Sequence, residues 1–205
     1  MRKLTAITVG LLLTGAIATG ARAENAAATS LAAQLGDRIK RGSAPERGED
    51  VSWGTALGVV EAPVEAVTRI AADYSNYSEF VPHFKKSRVL SRRGNDALVY
   101  MEAGVLKDTV TLWAQVRISA RTRGERRIIE SRMLKGNMDT FRARWELIPV
   151  AGNTRTLVKF HLLVDPDLPL PDSVLSRENE KSAGKTLRAM RDRVRHKGLA
   201  VANNR

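Results

Sequence analysis

Between residues 84 and 165 the chain runs through segment after segment in which apolar and polar residues alternate, each closed by a short turn. A period of two sends successive side chains to opposite faces of a strand, so every segment has one dry face and one wet face. Turns as tight as Gly94-Asn95, Arg123-Gly124, Gly136-Asn137 and Ala151-Gly152-Asn153 can only join antiparallel neighbours. Strands are therefore predicted over 84–92, 97–103, 109–119, 127–133, 138–150 and 154–165. Val110, Leu112, Ala114, Val116 and Ile118 share one face. So do Phe141, Ala143, Trp145 and Leu147, and so do Val158, Phe160, Leu162 and Val164. A sheet with one dry face needs a cover.

The cover is the last element. Asp165-Pro166-Asp167-Leu168-Pro169-Leu170-Pro171 cannot be helical, and Asp172 or Ser173 is a natural cap for a helix reaching about Lys197. Leu175, Asn179, Ala183, Leu187, Met190 and Val194 form its apolar stripe, while Arg177, Lys181, Lys185, Arg188 and Arg191 fall largely on the other side. Asn179, Ser182, Ala183 and Gly184 give the N-terminal half little bulk. Either a volume beneath that half stays unfilled, or the small residues let helix and sheet approach closely with no cavity.

Upstream, residues 51–61 alternate as a first strand, and Pro63 occupies the first turn of a helix whose stripe is Val64, Val67, Ile70 and Ala71. Asp73-Tyr74-Ser75-Asn76-Tyr77-Ser78-Glu79-Phe80-Val81-Pro82 then breaks that helix. Its three aromatics are spaced three apart, so one further short turn places them on a common face.

At the N-terminus, Arg2 and Lys3 precede an apolar run from Leu4 to Ala18, and Ala21-Arg22-Ala23 offers small residues where a signal peptidase reads. The expected organisation is a signal peptide over 1–23, an Ala-rich flexible linker over 24–50 in which Leu31, Leu35 and Ile39 recur at the spacing of a short fraying helix but Gly36, Gly42, Pro45 and Gly48 punctuate the stretch, one domain over 51–198, and a disordered tail over 199–205. The mature protein is expected in the periplasm or secreted. No cysteine is present, which excludes disulfides, thiolate metal sites and a thiol nucleophile. Loss of Arg2, Lys3 and Arg22 takes the 34 basic residues to 31 against 22 acids, a net charge of +9. That balance favours an anionic partner, in an exported protein a membrane surface. Nucleic acid is disfavoured, because aromatics make up only 5% of residues and fall mostly on the inner face rather than among the arginines.

Several of these segments carry a resemblance. Glu61-Ala62-Pro63 before the first helix, Asp73 to Tyr77 leading to Phe80-Val81-Pro82, the strand from Phe141 to Pro149 with its central Trp145, and Asp165-Pro166 with Pro169 and Pro171 before the last helix resemble the START-like, or SRPBCC, superfamily, and within it the coenzyme Q-binding and polyketide cyclase/dehydrase branch. The resemblance implies an α+β helix-grip fold: a curved antiparallel sheet of about six or seven strands, two short helices and a long C-terminal helix around an apolar cavity. It also implies a hydrophobic small molecule or lipid as ligand. On that basis Tyr77 and Phe80 are expected near the cavity entrance. Met101, Leu112, Val116, Met133, Phe141, Trp145 and Phe160 from the strands, with Asn179, Ala183, Leu187 and Met190 from the helix, are expected to line the cavity.

Catalytic constellations are thin. His83, His161 and His196 share no metal-ligand spacing, no Gly-x-Ser-x-Gly motif appears, and Gly-rich phosphate cradles are absent, so no cofactor is implied. Glu102, His83 and Tyr100 are the acid or base candidates. The expected function is binding of a lipid, isoprenoid or quinone-like molecule. The alternatives are a cyclase or dehydrase working in the same cavity and an envelope protein-interaction module. Buried acid-base groups in the cavity would favour the enzyme, an apolar lining the carrier, and a filled core the interaction module.

Overall fold

The computed structural model describes the backbone of residues 14–105 and 108–202 and the side chains of 25–105 and 108–198. The chain forms α1 (Thr14–Leu35), β1 (Lys40–Ala44), β2 (Trp53–Val60), α2 (Val64–Ala71), a 3-10 turn (Tyr74–Asn76), α3 (Tyr77–Phe80), β3 (Phe84–Arg93), β4 (Asp96–Val105), β5 (Val110–Arg123), β6 (Arg126–Gly136), β7 (Thr140–Val150), β8 (Arg155–Asp165) and α4 (Asp172–Ala202). All eight strands lie in one curved antiparallel sheet, ordered β1-β2-β8-β7-β6-β5-β4-β3. The helix-grip architecture is the expected one, with one strand more than expected.

That extra strand corrects the linker over 24–50. β1 pairs with β2 from Lys40 opposite Leu57 to Ala44 opposite Trp53. Before it, α1 buries Ala28, Ala32 and Leu35 on the outer face of the sheet against Val59, Ile148, Val150 and Leu157. Gly36 stops α1 rather than loosening the chain: it has the left-handed φ of 52° common after a helix end. The following loop is strapped down by Glu46, which accepts from Trp53 Nε1 at 2.6 Å and Arg142 at 3.1 Å, while Glu49 takes the other Arg142 nitrogen at 3.0 Å. Most of the expected signal peptide, residues 1–13, lies outside the described residues. The expected tail is helical backbone through Ala202, and residues 203–205 lie outside the described ones.

The main core lies on the inner face. Trp145 and Phe160 are cross-strand partners with ring centroids 4.0 Å apart, and Val67, Ile70, Tyr74, Tyr77, Ile129, Leu187 and Met190 close around them. The aromatics of the 3-10 turn and α3 do share a face, meeting edge to face at 5.8 Å for Tyr74 and Tyr77 and 5.6 Å for Tyr77 and Phe80. Helix α4 lies hard against β2 because the strand presents glycines to it. A Cβ on Gly54 would sit 2.1 Å from the Asn179 carbonyl, and one on Gly58 would sit 2.9 Å from Arg191 Nη2. Arg191, nearly buried, donates to Val59 O at 2.7 Å and Asp37 O at 2.6 Å, which joins α4 to β2 and to the end of α1.

Candidate functional site

Close packing of α4 on β2 and a cavity turn out to coexist. With the helix drawn to one side of the sheet, the inner faces of β4, β5, β7 and β8 border an open volume beneath the N-terminal half of α4. A cavity of about 700 Å³ remains there, within the range of small-molecule sites. Its walls are Met101 and Ala103 of β4, Leu112, Ala114 and Val116 of β5, Phe141 of β7, and Leu162 and Val164 of β8, with Met138 from the turn before β7. Leu168, Leu170 and Leu175 close one end, and Pro82, His83 and Phe84 border another.

Of the residues expected around the ligand, Met101, Leu112, Val116, Phe141 and Asn179 line this cavity. The others do not. Trp145, Phe160, Ala183, Leu187 and Met190 are buried in the core that fills the other half of the inner face. Tyr77 belongs to that core too. Its hydroxyl donates to Ala71 O at 2.5 Å, and burial pushes its phenol far above the ordinary value. Phe80 packs between Tyr77 and the Arg193 guanidinium, 5.3 Å from its ring centre, and Met133 lies against the core from β6. The physical reason is common to all eight: period and face tell which way a side chain points, whereas the depth at which α2, α3 and α4 already occupy that face depends on packing.

Alternation did contain Ala114, Leu162 and Val164 as inward-facing residues, and Ala103 only as the end of a predicted strand. What singles them out is their position toward the strand ends nearest the start of α4, which the hairpin registers fix. Pro166, Leu168 and Leu170 carried no periodic signal, and they reach the cavity because their proline-bounded segment crosses its end.

Apart from Asn179 and the half-buried hydroxyls of Ser182 and Thr186 on α4, the polar side chains that line the cavity stand at its rim. His83, Asp108, Glu178 and Lys185 border the cavity and are all exposed. Asp108 lies 3.5 Å from Lys85, and Glu178 lies 2.6 Å from Lys181. The buried Asn179 side chain is fully engaged: its oxygen accepts from Val164 N at 3.3 Å, and its nitrogen donates to Val164 O at 3.1 Å and Ser52 O at 3.3 Å. It ties α4 to the sheet rather than offering a group to a ligand. Of the acid or base candidates, only His83 reaches the cavity. Tyr100 and Glu102 face outward and bond each other at 2.7 Å, an interaction that lowers the Glu102 carboxyl and raises the Tyr100 phenol from their ordinary values. Among the described residues, no group of three or more His, Asp or Glu side chains is placed to hold a metal ion.

Most arginines of the strands lie on the outer face of the sheet, several tied into ion pairs such as Arg121 with Glu130 at 2.6 Å and Arg126 with Glu146 at 2.5 Å. Arg127 is the exception: it stands opposite the inward-facing Leu147 and lies 3.7 Å from Glu65 of α2.

Solved structures share this architecture. A STAR-related lipid transfer protein from Xanthomonas axonopodis superposes with a TM-score of 0.68 at 14% identity, over 77% of this chain and 93% of that one. Human StAR-related lipid transfer protein 5 gives 0.66 at 10% identity, over 87% and 98%. An aromatase/cyclase from Streptomyces gives 0.55 at 16% identity, over 77% and 94%. At such identities the likeness is one of fold. No curated protein matches the sequence. The sequence pattern described as polyketide cyclase / dehydrase and lipid transport does match, and it does so over residues 60–191. This span holds every strand from β3 to β8 and the half of α4 that roofs the cavity, and the chain belongs to that family.

Proposed function

We propose that the protein is an exported carrier that holds a hydrophobic molecule, a lipid or isoprenoid, in the cavity between the sheet and α4. The observation that supports this most directly is the division of the cavity: strand walls of hydrocarbon and thioether with only the Ser182 and Thr186 hydroxyls and the engaged Asn179 from α4 within, and charged groups only at the exposed rim. An apolar interior favours apolar guests, because burying a polar group without a partner costs about 1–3 kcal/mol on protein scales. A cyclase or dehydrase in the same cavity would need an acid-base pair aimed into it, and the walls named above carry none. The presence of lipid transfer proteins and an aromatase/cyclase among the fold relatives is compatible with either activity.

Protein purified from the envelope under native conditions, extracted with organic solvent and analysed by mass spectrometry, is expected to yield a hydrophobic compound near one per chain. Titration with the neutral probe Nile red should show a saturable site that the extract displaces. An empty extract together with no saturable probe binding would refute the carrier. Export rests on the charged start, the apolar run and Ala21-Arg22-Ala23. N-terminal sequencing of the envelope protein should read from Glu24, whereas an intact Met1 would overturn export with cleavage.

A further inference from the structure

The rim of the cavity is electrostatically lopsided. Each acid that borders it already has a lysine of its own, Asp108 with Lys85 at 3.5 Å and Glu178 with Lys181 at 2.6 Å. Lys185, on the next turns of α4, faces no carboxylate within ion-pair distance among the described residues. Its Nζ instead lies 3.5 Å from Nε2 of His83. That contact is long for a hydrogen bond, and both groups are exposed, so each keeps further hydrogen-bonding capacity. The spacing lets a single oxyanion come within hydrogen-bond distance of both nitrogens.

His83 is held in this place by its backbone. It has a left-handed φ of 70°, an uncommon conformation for a residue other than glycine, directly after Pro82. Gly104 N donates to its carbonyl at 2.8 Å across the cavity mouth. Strained backbone is retained where a side chain must be aimed, and here the imidazole is aimed at Lys185. Beyond these two groups the strand side turns apolar at once, with Phe84, Met101 and Ala103, while α4 adds the hydroxyls of Ser182 and Thr186.

We infer that the ligand is an amphiphile with one terminal carboxylate, seated against Lys185 and His83 at the mouth while its hydrocarbon part fills the cavity. This inference rests on the carrier reading and narrows it to a ligand class. A carboxylate seated deeper would leave the cationic groups behind, since inside the rim the lining offers only the neutral Ser182 and Thr186 hydroxyls and the engaged Asn179. A chain without the anion forfeits the charge-assisted hydrogen bonds at the mouth.

The test compares cis-parinaric acid, a fluorescent polyene fatty acid, with its methyl ester, by fluorescence titration of the full chain and its variants at low ionic strength. The acid is expected to bind wild type about tenfold tighter than the ester, a difference of about 1.4 kcal/mol. Lys185→Met, which keeps the aliphatic stem, should bring the acid down to the ester's affinity and leave the ester within about twofold. Lys185→Arg should preserve the preference. His83→Asn, chosen because Asn tolerates the left-handed backbone, should reduce it in part. Lys185 is exposed, so ligand-free unfolding temperatures should match wild type. Equal affinity for acid and ester in wild type, or equal losses of both in Lys185→Met, would overturn the carboxylate site while leaving the carrier standing. Binding of neither probe would overturn the carboxylate site, and the carrier with it if Nile red also fails to bind and the extract is empty.

Discussion

At Gly54 a hydrogen is the largest substituent that the packing of α4 admits. Gly54→Ala would put a methyl group 2.1 Å from the backbone carbonyl of Asn179, and no side-chain rotation relieves a clash with backbone. The cost is expected at or above the top of the overpacking range, about 3 kcal/mol, read as a lowered urea midpoint. A second residue contributes to the response to acid. His161 stands edge-on to Trp53 at 6.2 Å, and its imidazole is lowered from the ordinary value by burial first and by Arg144 second, with Lys159 adding to the effect and Glu146 opposing it. In the unfolded chain a histidine takes its proton near pH 6.5. Below that pH the unfolded state therefore binds more protons than the folded state, and stability falls as pH falls. His161→Gln should remove this component, so the gap between the unfolding temperatures at pH 7.5 and pH 5.5 should be smaller in the variant than in wild type. An equal gap would show that the group does not contribute.

Among the elements, what the sequence conveyed followed how much of each element's stability is local. β3 to β8 were legible because alternation and tight turns specify strands and their order without reference to anything distant. α4 was legible from its proline-bounded start and its stripe. α1 and β1 were not. A stripe of Ala28, Ala32 and Leu35 is too thin to mark a helix by itself, and it becomes one by covering Val59, Ile148, Val150 and Leu157 on a face that alternation assigned to solvent. The site shows the same limit at finer grain: inward-facing residues were readable, but Trp145 and Phe160 had already been claimed by α2, α3 and α4 as core. The contribution of α1 can be measured. Deleting residues 1–38 exposes that outer apolar patch and removes Asp37 O, an acceptor of the buried Arg191. The shortened chain should unfold at clearly lower temperature and bind a surface-apolar dye that the full chain excludes. An unchanged unfolding temperature would mean that the helix is dispensable to the fold.

For the whole molecule, the consequence of drawing α4 to one side is that two adjacent residues of the same helix meet opposite environments. Ala183 is completely buried against the filled half of the core, and Ser182 lines the cavity. A core without spare volume resists added methylenes at a cost of about 1–3 kcal/mol, whereas a cavity accepts them and loses only its guest. Ala183→Leu should therefore lower stability by that amount, measured by denaturant unfolding of the ligand-free protein. Ser182→Leu should leave stability within about 0.5 kcal/mol, the usual span for substitutions away from packed features, and should weaken Nile red binding by occupying its space. Equal destabilisation by the two leucines would mean that the volume beneath α4 is already filled in solution, and the carrier would lose the space on which it depends. Unchanged stability with lost probe binding in Ser182→Leu alone would place the guest beneath the N-terminal half of α4, on the side of the helix that β2 leaves free.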